Sequence, residues 1–298
     1  MPGDIHLFMT LAIRIADIVI RVESDVVPER FNDFSFYRDF IVTDGCSCQS
    51  RLEHHIASPP DLVFDKDPFY THNWRLASAG DKKVLIVGPM PKKGKPDNLV
   101  IFSNDYTSGV MYQKRVSELF RRFIDQFLVI NLLSRSMGFL LHASGVVWEG
   151  KGICFAGPSG SGKSTLLDLF KGEVPGDCLM NDDRLALRCA GNRWRVFGTP
   201  WYGESRVSSS GSADLRALFF IRHSKHNYVR RMAASQICPR LMVLGLMPVW
   251  DPEATSGVLA SFQNLIQNIP AFEFGFAPGK AAVNFIKKTV NGSLLHSA

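Results

Sequence analysis

An α/β domain preceded by a smaller β-rich one is the fold class that the sequence predicts, and three observations carry it. The run Gly157-Pro158-Ser159-Gly160-Ser161-Gly162-Lys163-Ser164 stands between an apolar strand-like stretch, Ile153 to Ala156, and a helix-like one, Thr165 to Phe170. Ahead of it, short alternating runs separated by Pro- and Gly-bearing turns fill the first part of the chain. Between the two, apolar residues recur at helical spacing. These observations place a β-rich domain at 1–111 and an α/β domain at 112–298, with 112–137 as a connecting helix. A chain of 298 residues is long enough for two medium domains, each with its own core.

In the front part, Leu11 to Val22 alternates with period two and slips near Asp17, which predicts a bent strand or a tight hairpin. Phe36 to Val42, Trp74 to Ala77, Lys83 to Val87 and Leu99 to Ser103 read as further strands, and Pro91 to Asn98 as a solvated lysine-bearing loop. From Tyr112 to Met137 the apolar residues, Val116 to Leu133, form a helical stripe that Gly138 ends. That stripe suits a helix packed between subunits of a homo-oligomer as well as one buried under its own β-domain. Phe139 to Trp148 reads as a strand, and Glu149-Gly150-Lys151-Gly152 as a tight turn into the strand before the glycine run. Cys178 to Met180 is a short strand, and Leu185 to Arg188 pairs across Gly191-Asn192 with Trp194 to Phe197. Gly198 to Glu204 is a structured loop, and the serine-rich Ser205 to Ala213 is expected to be a mobile lid. The rest alternates. A strand spans Leu218 to Arg222, and a helix runs from Tyr228 until Pro239 ends or kinks it. The apolar run from Leu241 to Met247 suits strand or helix. A helix (Val258 to Ile269), a strand (Phe272 to Phe276) and a helix (Lys280 to Val290) close the chain.

Composition narrows the classes. At 46% hydrophobic and 21% charged residues the chain is of ordinary globular type, and a net charge of +6 suits nucleotides and acidic partners but is too small to argue for nucleic acid. Six cysteines show no zinc spacing, because Cys46-Ser47-Cys48 has no matching second pair. The apolar start, Ile5 to Val22, is interrupted by Arg14, Asp17 and Arg21, so neither a membrane span nor a signal peptide is expected. Met9 is a second candidate start, which would make Met1 to Phe8 dispensable. These readings predict a cytoplasmic protein without membrane partners.

The chemistry lies around the glycine run, which fits the phosphate-binding pattern G-x-x-x-x-G-K-[ST]. Glycines let backbone N–H groups turn toward phosphate oxygens, Lys163 supplies a cation, and Ser164 offers a hydroxyl to Mg²⁺. The helix leaving the loop adds its N-terminal dipole, and Thr165 stands in its first turn. Asn181-Asp182-Asp183 follows at a strand end, where one aspartate is suited to hold Mg²⁺ and the other to take an acceptor's proton. His142 lies on the strand expected to pair with the one feeding the loop. Its residue type there suits a satisfied core histidine or a group tuning the aspartates. Glu204 and Arg222 are further candidates for acceptor or phosphate contacts, the second within a basic stretch that has no acidic residue from Leu215 to Leu241.

The order Leu141-His142-Ala143-Ser144-Gly145-Val146, then Gly157 to Ser164, then Asn181-Asp182-Asp183-Arg184, resembles the catalytic domain of HPr kinase/phosphorylase. It resembles still more the related serine kinases of bacterial gene clusters, to which Gly198-Thr199-Pro200-Trp201 is also similar. The resemblance covers about half the chain, from Gly138 on. It implies a nucleotide-binding fold shared with phosphoenolpyruvate carboxykinases, ATP and Mg²⁺ as cofactors, and a serine hydroxyl of a peptide or small protein as acceptor, ribosomally made peptide precursors among them. On that resemblance Gly157 to Thr165 bind the nucleotide, Lys163 and Ser164 serve phosphate and Mg²⁺, Asp182 and Asp183 take the base and metal roles, and His142 supports them. Thr165 stands where the bifunctional members carry an acidic residue, and their glycine- and arginine-rich segment is absent. Both departures argue against the reverse reaction. A small-metabolite kinase of the same fold and a non-catalytic ATP-binding regulator are the alternatives.

Overall fold

The computed structural model describes residues 9–43, 47–65, 69–88, 94–120 and 123–292. The dispensable start at Met1 to Phe8, Cys46 of the C-x-C pair, Pro91 to Lys93 of the lysine loop, and Arg121 and Arg122 of the expected helix lie outside the described residues. The chain divides into two compact units between Leu132 and Leu133. Among the described residues no helix is long and apolar enough to cross a membrane.

The first unit is built on β1 (Met9–Ile15), β2 (Ile18–Ser24), β3 (Ser50–Ile56), β4 (Phe69–Tyr70), β5 (Trp74–Ala79), β6 (Lys82–Val87), β7 (Asn98–Ser103) and β8 (Ser108–Gln113). The sheet order is β1-β2-β3-β8-β7-β6-β5-β4, with β2–β3 and β3–β8 parallel and the other pairs antiparallel. The slip near Asp17 is the hairpin turn itself. Ala16 and Asp17 have φ of 53° and 60°, the backbone sign that a two-residue turn matching strand twist requires.

Phe36 to Val42 is not a strand. Phe34–Phe40 forms a 3₁₀ turn that buries Tyr37 and Phe40, three residues apart, on one side. The connecting helix is shorter than its apolar stripe: α1 spans Ile124–Ser134. Tyr112 and Gln113 belong to β8, and the segment after it has its backbone groups taken by side chains. Asp33 accepts from Leu119 N (2.7 Å) and Phe120 N (3.2 Å), while Gln113 donates to the carbonyls of Glu118 and Leu119. Backbone groups bonded in this way are withheld from a helical ladder. The aromatic stripe packs within its own unit, with Phe123 stacked on Trp74 at 5.2 Å and Phe127 on Phe102 at 6.0 Å.

The second unit contains β9 (Gly138–Trp148), β10 (Lys151–Ala156), α2 (Lys163–Phe170), β11 (Leu179–Asn181), β12 (Arg184–Ala190), β13 (Arg193–Phe197) and β14 (Ser212–His223). It ends with β15 (Tyr228–Arg231), α3 (Ala234–Leu244), α4 (Pro252–Asn268), β16 (Ala271–Phe276) and α5 (Lys280–Asn291). β10 pairs antiparallel with β9 and parallel with β14, so the path β10-β9-β12-β13-β14 returns to β10. β16 and β15 extend the sheet beyond β14.

The central strands are apolar on both faces because helices cover both. Ile153 and Phe155 of β10, Phe219 of β14 and Phe272, Phe274 and Phe276 of β16 join α2 and α5 in one core. Cys154, Ala156, Leu218 and Phe220 join α3 and α4 in the other. A fully buried phenylalanine contributes about 2–3 kcal/mol, so these six-membered rings anchor the strand ends from which the functional loops depart.

Two expectations for this unit are corrected. Tyr228 to Arg231 is a strand, and the helix starts only at Ala234, with Pro239 inside it. Proline costs a helical bond to the carbonyl four residues back, here Ser235, which is exposed and can turn to water. Ser205 to Ala213 is no mobile lid. Ser209 N bonds Met180 O (3.0 Å), Ser208 Oγ donates to Thr199 O (2.9 Å), Gly198 N bonds Gly211 O (3.0 Å), and β14 begins at Ser212.

Candidate active site

β10 ends at Ala156, and the chain turns through the glycine run into α2. Gly160 and Gly162 have φ of 76° and 99°, where side chains are strained, and a Cβ on Gly162 would stand 2.8 Å from the Phe276 ring. A Cβ on Gly157 would meet Ser161 Oγ at 2.5 Å. Close neighbours hold Gly157 and Gly162 to glycine, whereas at Gly160 only the backbone angle favours it. Pro158, Ser159 and Gly160 are exposed, Ser164 is half-buried and Thr165 is exposed on the first turn of α2. The leading N–H groups of a helix have no partner within it, so this turn presents donors to an anion.

Lys163 folds back over the loop: its Nζ donates to Gly157 O (2.8 Å) and Pro158 O (3.1 Å). Burial lowers its pKa, while Asp183 and Asp182 pull the other way. His142, Ser144 and Val146 share one face of β9, and Ser144 Oγ donates to Lys163 O at 3.5 Å. His142 Nε2 lies 3.4 Å from Asp183 Oδ1, and Arg184 Nε lies 3.6 Å from Asp183 Oδ2. Burial first, then the Lys163 charge, holds the His142 pKa below its ordinary 6.5, against the pull of Asp183. His142 Nε2 is placed to donate to Asp183 Oδ1. His142, Lys163 and Asp183 thus form one cluster at the loop.

Asp182 is placed differently. It is buried, and its two oxygens accept from Gly203 N (2.8 Å) and Ser205 N (2.7 Å). It holds the following loop in place. Glu204, between those two residues, is exposed. Arg222 shares the face of Phe220 on β14, where its Nη1 is 4.0 Å from Glu273 Oε1.

Two residues that the sequence reading left without a role belong to the site. Asn181 is fully buried and organises the turn: its Oδ1 accepts from Asp183 N and Arg184 N (2.7 Å each), and its Nδ2 donates to Thr199 O (2.8 Å). An asparagine just before a turn, able to bond backbone two residues on, is the signal that would have found it. His223, at the end of β14, donates from Nε2 to Gly160 O at 2.6 Å, the carbonyl being able only to accept. Nothing in its sequence neighbourhood points to the loop.

The donor set fits a polyphosphate with a hard divalent cation: strained glycines that open the backbone, a lysine over the loop, a serine at the helix start and a carboxylate opposite. Ser161 Oγ, buried without a partner, is one further group in the cradle left unsatisfied by the protein itself.

No protein-family model matches the chain, and no curated protein matches it either. Among solved structures, it is similar to the HPr(Ser) kinase/phosphatase of Coxiella burnetii, at 12% identity and a TM-score of 0.29, over 50% of this chain and 94% of that one. A likeness of that size is too slight to assign a family or an activity.

Proposed function

We propose that the chain is an ATP- and Mg²⁺-dependent kinase that phosphorylates a serine hydroxyl of a peptide or small protein. The observation that supports this reading most is the juxtaposition of Asp183 with His142 and with Lys163 of the phosphate-binding loop. Gly157 to Thr165 would hold the phosphates, and Ser164 would offer its hydroxyl to the cation. When bound, ATP supplies the phosphoryl group and Mg²⁺ the charge that neutralises its oxygens.

The remaining work falls to the chain's own groups. Lys163 leaves the Gly157 and Pro158 carbonyls, which hold it across the loop, and turns to an anion. Asp183 is the member of the acidic pair whose oxygens no backbone N–H occupies in the hydrogen bonds described, so it is the one suited to take the acceptor's hydroxyl proton. His142 steadies that carboxylate through Nε2–H, and Asp182 keeps the Gly203–Ser205 loop beside it.

Radiolabelled phosphate transfer to Ser-bearing peptides, read also as a mass gain of ~80 Da, tests the reading. Asp183→Asn should reduce transfer by about 10²–10⁴ while retaining ATP binding. Transfer at the wild-type rate would remove Asp183 from catalysis, and normal ATP binding by Lys163→Ala would remove the loop assignment. A wild-type protein that binds ATP and transfers to no peptide would be a regulator or a small-metabolite kinase.

A further inference from the structure

Beside the phosphate-binding loop, on the face of the sheet covered by α3, lies a cavity of about 450 Å³. It is lined by Gly157 and Pro158 of the loop, by Pro239, Arg240 and Val243 of α3, and by Phe220 and Arg222 of β14. The alternation of β14 puts Arg222 there, and α3 brings Arg240. Phe220 and Arg222 share one face of β14, and Glu273 of β16 is the register partner of Phe220.

Glu273 is the carboxylate among these arginines, and it is already engaged. Its Oε1 accepts from Tyr228 Oη (3.0 Å) and Arg230 Nη2 (3.1 Å), and its Oε2 accepts from Arg240 Nη2 (2.8 Å). The Arg240 bond, ahead of Tyr228 and Arg230, keeps the buried carboxylate ionised by lowering its pKa. Arg222 Nη1 remains 4.0 Å away, beyond hydrogen-bond reach, and its side chain is 64% exposed. Three arginines stand around one carboxylate, and two of them, Arg222 and Arg240, line the cavity, so the charge beside it is positive in sum.

The outer wall is apolar and open. Val243 is 80% exposed and Met242 beside it 45%, so the cavity continues onto the surface of α3 and does not close over a small molecule. A pocket for a metabolite buries most of its ligand, whereas a wall that runs out along a helix suits a chain. Charge and shape together select a segment that carries a carboxylate next to an apolar side chain.

We propose that this cavity docks the acceptor as an acidic peptide segment, with a carboxylate near the acceptor serine received by Arg222 and an apolar neighbour laid against Pro239 and Val243. This rests on the kinase reading for the identity of the acceptor, and it adds the sequence character that the acceptor needs. Glu273 fixes Arg240 and Arg230 as the rigid side of the subsite, and Arg222 is the arm that closes on the incoming carboxylate. An arginine–carboxylate contact in a partly dry site is among the stronger hydrogen-bonded pairs and imposes direction as well as affinity.

Two synthetic peptides of equal length test it, each with one serine and a leucine nearby, one with glutamates beside the serine and the other with glutamines. Binding of the fluorescently labelled peptides is followed by anisotropy with a non-hydrolysable ATP analogue and Mg²⁺, and transfer is followed in parallel with ATP. The expected result is at least about tenfold tighter binding of the glutamate peptide, with the ratio falling to near one in Arg222→Gln. Arg222 is a surface side chain, and melting confirms that the variant folds. Equal binding of the two peptides, no binding of either, or a preference that survives Arg222→Gln would each overturn the docking proposal, even if transfer occurs. An Arg222-dependent preference without any transfer would sustain the docking proposal and overturn the kinase reading.

Discussion

Asp182 and Asp183 are adjacent in the chain, and replacing each by asparagine should have different consequences. Asp182 is 2% exposed and accepts two backbone N–H groups, at 2.8 Å and 2.7 Å. Asparagine has the same shape but only one acceptor, so its NH₂ must face the N–H of Gly203 or Ser205. A hydrogen bond to a charged group contributes about 1.5–3 kcal/mol, and a buried donor left facing a donor adds to the loss, so the cost is about 2–3 kcal/mol. For a domain of this size that lowers Tm by about 4–12 °C. Calorimetry measures it, and hydrogen exchange should show the Gly203 and Ser205 amides losing protection. Asp183 makes only the longer contacts at 3.4 Å and 3.6 Å and its side chain is 25% exposed, so Asp183→Asn should stay within about 0.5 kcal/mol of wild type while losing transfer. If Asp182→Asn melted with the wild type and kept both amides protected, the reading of Asp182 as the loop's anchor would be wrong.

Two further outcomes are expected. Gly162→Ala forces a side chain at φ 99° against the fully buried Phe276 ring, whereas Gly160→Ala, at φ 76°, meets nothing within 4 Å. The first should cost about 2–4 kcal/mol and at least tenfold in ATP affinity, the second only about 1–2 kcal/mol; equal effects by titration calorimetry would count against the packed-loop account. In the first unit, His54 is fully buried, its Nδ1 is 2.8 Å from Ser24 Oγ, and burial lowers its pKa from 6.5 to about 4. The unfolded chain takes up the proton first, so stability is full above pH 6.5 and falls as the pH drops toward about 4, by about 3 kcal/mol. Urea unfolding of wild type and His54→Asn should converge by that amount between pH 7.5 and 4, and a constant gap would refute it.

The parts of the fold that were legible are those where one local signal decides. Leu11 to Val22 announced strand structure through its alternation, with the slip near Asp17 marking a bend or a hairpin turn, and Ile153 to Ala156 announced a buried strand through an unbroken apolar run. The signal failed where side chains from distant residues take over the backbone. Asp33, which captures Leu119 N and Phe120 N from 86 and 87 residues away, is what keeps these two residues of the apolar stripe out of a helix. Likewise Ser205 to Ala213 carries the serine of a flexible segment, yet Met180, Thr199 and Asp182 hold it down. β3 and β8 were missed because His54, Gln113 and Ser50 are polar residues inside a sheet, buried through hydrogen bonds that periodicity does not register.

The site shows the same division within three residues. Residue type and spacing singled out Lys163, Asp182, Asp183 and His142, and the fold brings His142, Lys163 and Asp183 into one cluster with Asp182 beside it. Spacing was not enough to separate the two aspartates, since an extended chain treats neighbours alike. What separates them is Asn181. By accepting from both Asp183 N and Arg184 N it bends the end of β11, and the bend sends Asp182 into the Gly203–Ser205 backbone while Asp183 stays beside His142. The division of labour in the acidic pair is thus set by the neutral residue before it. It follows that Asn181 is a positioning residue: it touches no reacting group, and its effect on transfer would run through Asp183.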